Sequence, residues 1–238
     1  MVLKKCRLKV KETVATLIAP EEFFTVAEKE IIRQRVMLEN YISKDPQFLH
    51  SLVPVPVPAD SPEIVRRMAV AAFKAGVGPM ASVAGAIAYF AVREMVNKGA
   101  RHVIFENGGD IALYIQQPVL IGIYSGNKLK NLALKVRPRN SIVGICTSSG
   151  TMGHSLSFGR ADSVTVMSED PVLADAVATA LCNSIKEENP EKIEKSINKF
   201  LIEGIEGIIV AIGDLIGLGG NLPELVEVPI PDELVTTW

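Results

Sequence analysis

The sequence has few aromatic residues, few cysteines and almost no net charge. Aromatics make up 5% of its 238 residues, and 25 basic side chains stand against 27 acidic ones for a formal charge of −2. A chain so balanced offers no field for a polyanion, and so few rings give little for unpaired bases to stack on, which together exclude nucleic acid as a partner. The three cysteines (Cys6, Cys146 and Cys182) lie far apart and form no CxxC pair, so neither a disulfide framework nor a thiolate metal site is expected. No GK[ST] triplet and no GxSxG elbow occurs, which removes the P-loop and the usual α/β-hydrolase nucleophile. The first dozen residues, MVLKKCRLKVKE, carry charge without a following apolar run and do not read as a secretory signal. A cytoplasmic address is the expectation.

Aliphatic and small residues are plentiful. Hydrophobic residues reach 48%, enough for a large core in one domain or in two interlocked lobes. Residues 75–92, AGVGPMASVAGAIAYFAV, carry no charge over eighteen positions, close to the length of a membrane span. Six alanines, three glycines and Pro79 make the stretch weakly apolar, so a buried helix is expected and a membrane span is not.

Periodicity divides the chain into elements. Partial alternation over 6–19 predicts a long strand or a hairpin, and Phe24, Ala27, Ile31, Val36 and Leu38 predict an amphipathic helix over 21–43. Four prolines in LVPVPVPADSP (52–62) force an extended strap, read as a link between lobes. Helices are expected over 62–75 and 80–98. Strands follow at 102–106, 111–115, 119–124, 132–136, 141–146 and 163–167. A helix then opens near Asp170 with Pro171 in its first turn, before a charged helix over 190–203 and two strands at 207–212 and 215–219. The pattern specifies a mixed α/β fold with a largely antiparallel sheet and flanking helices.

Three polar segments interrupt this background. Glu106-Asn107-Gly108-Gly109-Asp110 reads as a hairpin turn, or as a turn that brings amides and Asp110 against a ligand. GICTSSGTMGHSLSFGR (144–160) reads as a surface loop, or as a source of amide and hydroxyl donors suited to phosphate. Its His154 is either a hydrogen-bonded structural histidine or an acid/base. On the helix near 175, Asp175 and Thr179 lie four residues apart and share one alanine-lined face. There they are either a core threonine bonded back to its own helix and an aspartate bonded to a loop, or hard-cation ligands.

In this order the segments resemble the ApbE superfamily, whose characterised members are FAD:protein FMN transferases. GGDI (108–111) is similar to that family's Gly-Gly-Asp-Ile turn, and CTSSG (146–150) to its Thr-Ser-Gly loop. SVTVMSEDPVLADAVATAL (163–181) is similar to its strand and Ala-Asp-Ala-x-Ala-Thr-Ala helix. The helix over 81–98 lies where the family carries Gly-Ile-Ala-Lys-Gly-Tyr-Ala, with Ala84 at the alanine. The resemblance covers about residues 75–182. It implies an ApbE-like fold spanning 1–238, with FAD bound in a cleft and Mg²⁺ on its pyrophosphate. FMN would pass to a threonine hydroxyl of an acceptor protein, or FAD would be hydrolysed to FMN and AMP.

By the same resemblance Asp175, Thr179 and the Ala84 carbonyl would hold the metal, and Gly108, Gly109, Asp110, Thr147, Ser148, Ser149 and Gly150 the nucleotide. His154 would be the acid/base. The sequence also departs from the family. Gly85 stands where the family has a lysine, and Pro79 or Met80 where it has an acid. His154-Ser155-Leu156-Ser157-Phe158-Gly159 lacks the aspartate and the proline of the family's His-x-x-Asp-Pro-x-Thr-Gly. These departures leave open an inactive nucleotide-binding protein, in a shorter cytoplasmic branch of the superfamily. The expected partners are a nucleotide and an acceptor protein, with a homodimer as a further option.

Overall fold

Every strand of the main sheet runs antiparallel to its neighbours, in the order β1 (Lys4–Val10), β2 (Thr13–Ala19), β3 (Val103–Asn107), β4 (Asp110–Tyr114), β7 (Val143–Ser148), β8 (Ser163–Ser168), β9 (Ile205–Ile212) and β10 (Leu215–Gly220). The computed structural model describes residues 2–123, 131–151 and 159–228. The alternating start of the chain folds as the hairpin of β1 and β2.

The chain leaves this sheet three times and returns each time beside the strand it left. Between β2 and β3 it builds α1 (Phe24–Lys44), the short α2 (Gln47–His50), α3 (Glu63–Ala75) and α4 (Val83–Asn97). Between β8 and β9 it builds α5 (Pro171–Ser184) and α6 (Pro190–Phe200). Between β4 and β7 it builds β5 (Val119–Ile123) and β6 (Leu132–Val136), which pair with β11 (Glu224–Glu227) in a separate sheet of order β11-β6-β5.

Strand alternation then gives two cores, one on each face of the main sheet. Val103, Phe105, Ala112, Cys146, Val164, Val166, Ile208 and Val210 face the helices. Leu113, Val143, Ile145, Met167 and Ile209 face the small sheet and pack with Ile121, Ile123, Leu134 and Val136.

The helices follow their sequence signals closely. Asp170 caps α5 by accepting from the Val172 amide at 3.0 Å, and Asn189 caps α6 by accepting from Lys192 at 3.0 Å, each with proline next in the chain. The expected face of α1 needs correction. Val36 is 48% exposed, and the inward stripe is Ala27, Glu30, Ile31, Gln34 and Leu38. That stripe keeps the 3.6-residue period, and polar side chains fill two of its positions. Glu30 is satisfied there by Arg33 and Gln34 at 2.6–2.7 Å.

The uncharged stretch 75–92 does not form one rod. It crosses the turn at Gly76–Gly78 and a 3₁₀ turn (Pro79–Ser82) before entering α4, where Gly85, Ala86, Ile87, Ala88, Phe90, Ala91 and Val92 are buried. Among the described residues no single helix is long and apolar enough to cross a membrane. The segment on either side of the break bends by 103°.

Candidate functional site: a buried carboxylate pair between a hairpin and two helix ends

The site begins with a two-residue turn. Asn107 pairs with Asp110 across β3 and β4, and Gly108 and Gly109 between them have φ of 66° and 87°, values a side chain would strain. Alternation along β3 sends Asn107 to the helix face with Val103 and Phe105. Along β4 it sends Asp110 there with Ala112. Asp110 is paired with Cys146 of β7, so the thiol rises on the same face beside the carboxylate.

Helices α4 and α5 close over this spot because glycines allow it. A Cβ on Gly85 would lie 2.4 Å from the Pro171 carbonyl oxygen and 2.8 Å from Asp175 Cβ, and one on Gly144 would lie 2.5 Å from Pro171 Cα. The first turn of α5 therefore touches both the start of α4 and strand β7. With this packing residue 85 has no room for any side chain.

The hydrogen bonds converge on a single peptide unit. Asp175 Oδ2 accepts from the Gly85 amide at 2.8 Å, satisfying one of the free donors at the start of α4. The Ala84 carbonyl on the other side of that peptide accepts from Asn107 Nδ2 at 3.2 Å. One turn along α5, the Thr179 hydroxyl donates to the Ala81 carbonyl at 3.4 Å, a long bond that goes to the 3₁₀ turn and not back to its own helix. Asp175, Thr179 and Ala84, named together from the sequence, thus meet at one helix–helix contact.

Electrostatically the site is short of positive charge. Asp110 and Asp175 are each 7% exposed, and neither joins an ion pair among the described residues. Burial, then the Asp175 charge, pushes the Asp110 carboxyl well above the usual carboxylate range. Burial pushes Asp175 up to about 7, against the pull of the Gly85 and Ala84 amides. The Cys146 thiol is also pushed well up, by burial and then by the two carboxylates, and it donates to the Pro171 carbonyl at 3.5 Å. It is a protonated thiol at neutral pH and not a nucleophile. Asp110 Oδ1 is buried without a hydrogen-bond partner among the described residues.

These features fit a hard cation. Carboxylate, hydroxyl and carbonyl oxygens are the donors that suit Mg²⁺, and a dication would relieve both the orphaned oxygen and the like-charge pair. Among the described residues no three His, Cys, Asp or Glu side chains gather closely enough to hold a metal by themselves, so other oxygens must complete its shell.

The remaining residues named from the sequence divide by face. The Thr147 amide donates to the Gly109 carbonyl at 3.2 Å, tying β7 to the hairpin. Its hydroxyl points to the opposite side of the sheet and meets that of Thr165 at 2.9 Å. Ser148 ends β7 on the helix side. Ser149 accepts from the Thr151 amide at 3.2 Å, and Gly150 donates to the Ala161 carbonyl at 2.9 Å. His154 lies outside the described residues. Sequence reasoning missed two members of the cluster, Asn107 and Cys146. The alternation of β3 carries the signal for Asn107, and the register of β4 with β7 carries that for Cys146. Two surface grooves, one lined by Ile193, Ile197, Ile216 and Leu218 and the other by Glu63, Arg66, Arg67 and Asp170, contain none of the cluster.

Comparison with known proteins agrees with this architecture. A UPF0280 protein of Methanocella arvoryzae is 43% identical over 234 residues, covering 98% of this chain and 95% of its own. One of Methanocaldococcus jannaschii is 45% identical over 230 residues, covering 94% and 93%. Among solved structures, the apo form of the Pseudomonas stutzeri flavinyl transferase ApbE superposes with a TM-score of 0.60 at 12% identity, covering 92% of this chain and 95% of that one. The ApbE protein of Thermotoga maritima gives 0.56 at 12% identity, covering 92% and 97%. These superpositions show that the fold is ApbE-like. The profile of the family described as "AbpE bacteria" matches residues 5–201, and the chain belongs to that family.

Proposed function

We propose that the protein binds a flavin dinucleotide with Mg²⁺ and acts on its pyrophosphate in the cytoplasm, either transferring FMN to an acceptor hydroxyl or hydrolysing FAD to FMN and AMP. The observation that carries this reading is the buried carboxylate pair without a counter-charge, set where a glycine turn and the start of α4 meet. The solved structures of the same fold include a protein named as a flavinyl transferase, which supports a flavin as the ligand.

In this reading Asp175, Thr179 and the Ala84 carbonyl would hold the cation, whose positive charge would offset the negative charge of the pyrophosphate. Asp175 also fixes the start of α4 through the Gly85 amide, and Asn107 fixes the Ala84 carbonyl, so the site is set before ligand arrives. Gly108, Gly109 and Asp110 in the turn, with the segment Thr147, Ser148, Ser149 and Gly150, hold the nucleotide. Absence of a Cβ at the turn lets phosphate or ribose approach the backbone closely. His154 is the acid/base that moves the proton of the attacking hydroxyl or water.

A second reading is a nucleotide-binding protein without turnover. What favours it is Gly85, since the contact of α4 with Pro171 and Asp175 leaves no place there for the cationic side chain that the family carries.

Incubation of purified protein with FAD and Mg²⁺, followed by chromatography for FMN and AMP, tests both. Products that vanish in Asp175→Ala support the enzyme, and FAD retained without products supports the binding protein. A folded sample that neither retains nor cleaves FAD overturns the flavin reading.

A further inference from the structure

We propose that Asp110 is a cation ligand, sharing one hard divalent ion with Asp175 beneath a diphosphate ligand, and that the β3–β4 hairpin is therefore part of the metal site. This deepens the proposed function and rests on it. The cation set read from sequence used α5 and the start of α4 alone, with the Ala84 carbonyl as the anchor on α4. In the structure that carbonyl already accepts from Asn107, and Asp175 Oδ2 already accepts from Gly85. The oxygen left over is Asp110 Oδ1, on a side chain more than nine-tenths buried and facing the helices from the first residue of β4.

Three features place that oxygen at the site. Asn107, opposite Asp110 across the turn, pins the hairpin to the same peptide that Asp175 pins from the other side. Cys146, paired with Asp110 in the ladder, reaches the first turn of α5 by donating its thiol to the Pro171 carbonyl at 3.5 Å, four residues before Asp175. No lysine or arginine among the described residues pairs with either carboxylate. Two carboxyl groups in a poorly solvated site without cationic side chains either keep their protons or share a positive charge, and a divalent ion supplies that charge with oxygen ligands. A carboxylate would repel the phosphates of a nucleotide directly. Through a bridging ion the same group attracts them, which reconciles Asp110 with an anionic ligand.

The test measures Mn²⁺ binding to the full chain, by the electron paramagnetic resonance signal of free Mn²⁺, alone and with inorganic pyrophosphate. Thermal melts in EDTA and in MnCl₂ accompany it. Asp110→Asn and Asp175→Asn are each expected to weaken Mn²⁺ by about tenfold or more. In EDTA at pH 8, Asp110→Asn is expected to melt at or above the wild-type temperature, because a neutral amide avoids the cost of ionising a buried acid beside Asp175. A purely structural carboxylate would instead lose stability in EDTA. Asp110→Ser, smaller and unable to crowd Cys146, serves if the asparagine variant does not fold. If both Asp110 variants bind Mn²⁺ as the wild type does while Asp175→Asn does not, Asp110 is not a ligand and the proposed function stands. Wild-type protein that binds no Mn²⁺, even with pyrophosphate, overturns both.

Discussion

Strands β4 and β7 present two faces built from alternate residues of the same few positions, and the faces differ in how their polar atoms are balanced. Toward the small sheet, Thr147 meets Thr165, hydroxyl to hydroxyl at 2.9 Å, among Ile145, Val143 and Met167. Toward the helices lie Asp110, Cys146 and Asp175, with two carboxyl groups, a protonated thiol and one oxygen left over. A buried polar pair that satisfies itself belongs to packing, whereas one that leaves charge uncompensated asks for something from outside. The contrast marks the helix side as the candidate site without reference to any relative.

The most severe way to break this contrast is to force α4 off α5. Gly85→Val places a branched side chain against the Pro171 carbonyl and Asp175, and is expected to cost about 3 kcal/mol or more, read from urea unfolding. A tolerated valine would mean that the two helix starts do not touch as described. Asn107→Leu keeps the volume but removes the donor to Ala84, and is expected to cost about 1–3 kcal/mol by the same measurement. Its effect on cation affinity should exceed that of any substitution on the opposite face.

A gentler probe is pH in the absence of divalent ions. The folded-state pKa of Asp175 is raised to about 7, so the folded protein holds that proton more tightly than the unfolded chain does. The associated stability is complete below the unfolded value near 4 and is lost as pH rises through about 7. Melting temperature in EDTA should therefore fall between pH 5 and pH 8, Asp175→Asn should flatten that slope, and Mg²⁺ should restore stability at the upper end. The smallest effect belongs to the self-satisfied face. Thr165→Val is expected to cost about 1 kcal/mol and to leave Mn²⁺ affinity unchanged. A loss of affinity there would erase the distinction between the faces.

Much of this architecture is readable in the sequence, and the unreadable parts share a physical reason. Asp170 followed by Pro171 marks the start of α5, and Asp175 with Thr179 marks the face turned to α4 and its 3₁₀ turn, because capping and the helical period are local. Gly108-Gly109 marks the turn for the same reason. Asn107 is lost in that signal, since Asn-Gly reads as turn chemistry while the residue actually ends β3 with its side chain on Ala84. Cys146 acquires meaning only once β7 is set against β4, and register between strands thirty residues apart is not a local property. Val36 was expected on the inner face of α1 because it is apolar, yet Glu30 and Gln34 take the inward positions by pairing with each other. The short β11 pairs with β6 from far along the chain, and no periodicity announces it.

The three excursions from the main sheet bear on the order in which the molecule assembles. β2 cannot meet β3, nor β4 meet β7, until the long intervening segments have been closed into loops, and each closure costs chain entropy before a ladder rewards it. Asp110 and Asp175 arrive on opposite sides of such closures, one from the hairpin and one from α5. Their mutual repulsion is therefore absent from the early chain and is felt only when the last contacts form. Neutralising either acid should slow unfolding in cation-free buffer while leaving the refolding rate nearly unchanged. The carboxyl pair would then limit the lifetime of the native state in cation-free buffer.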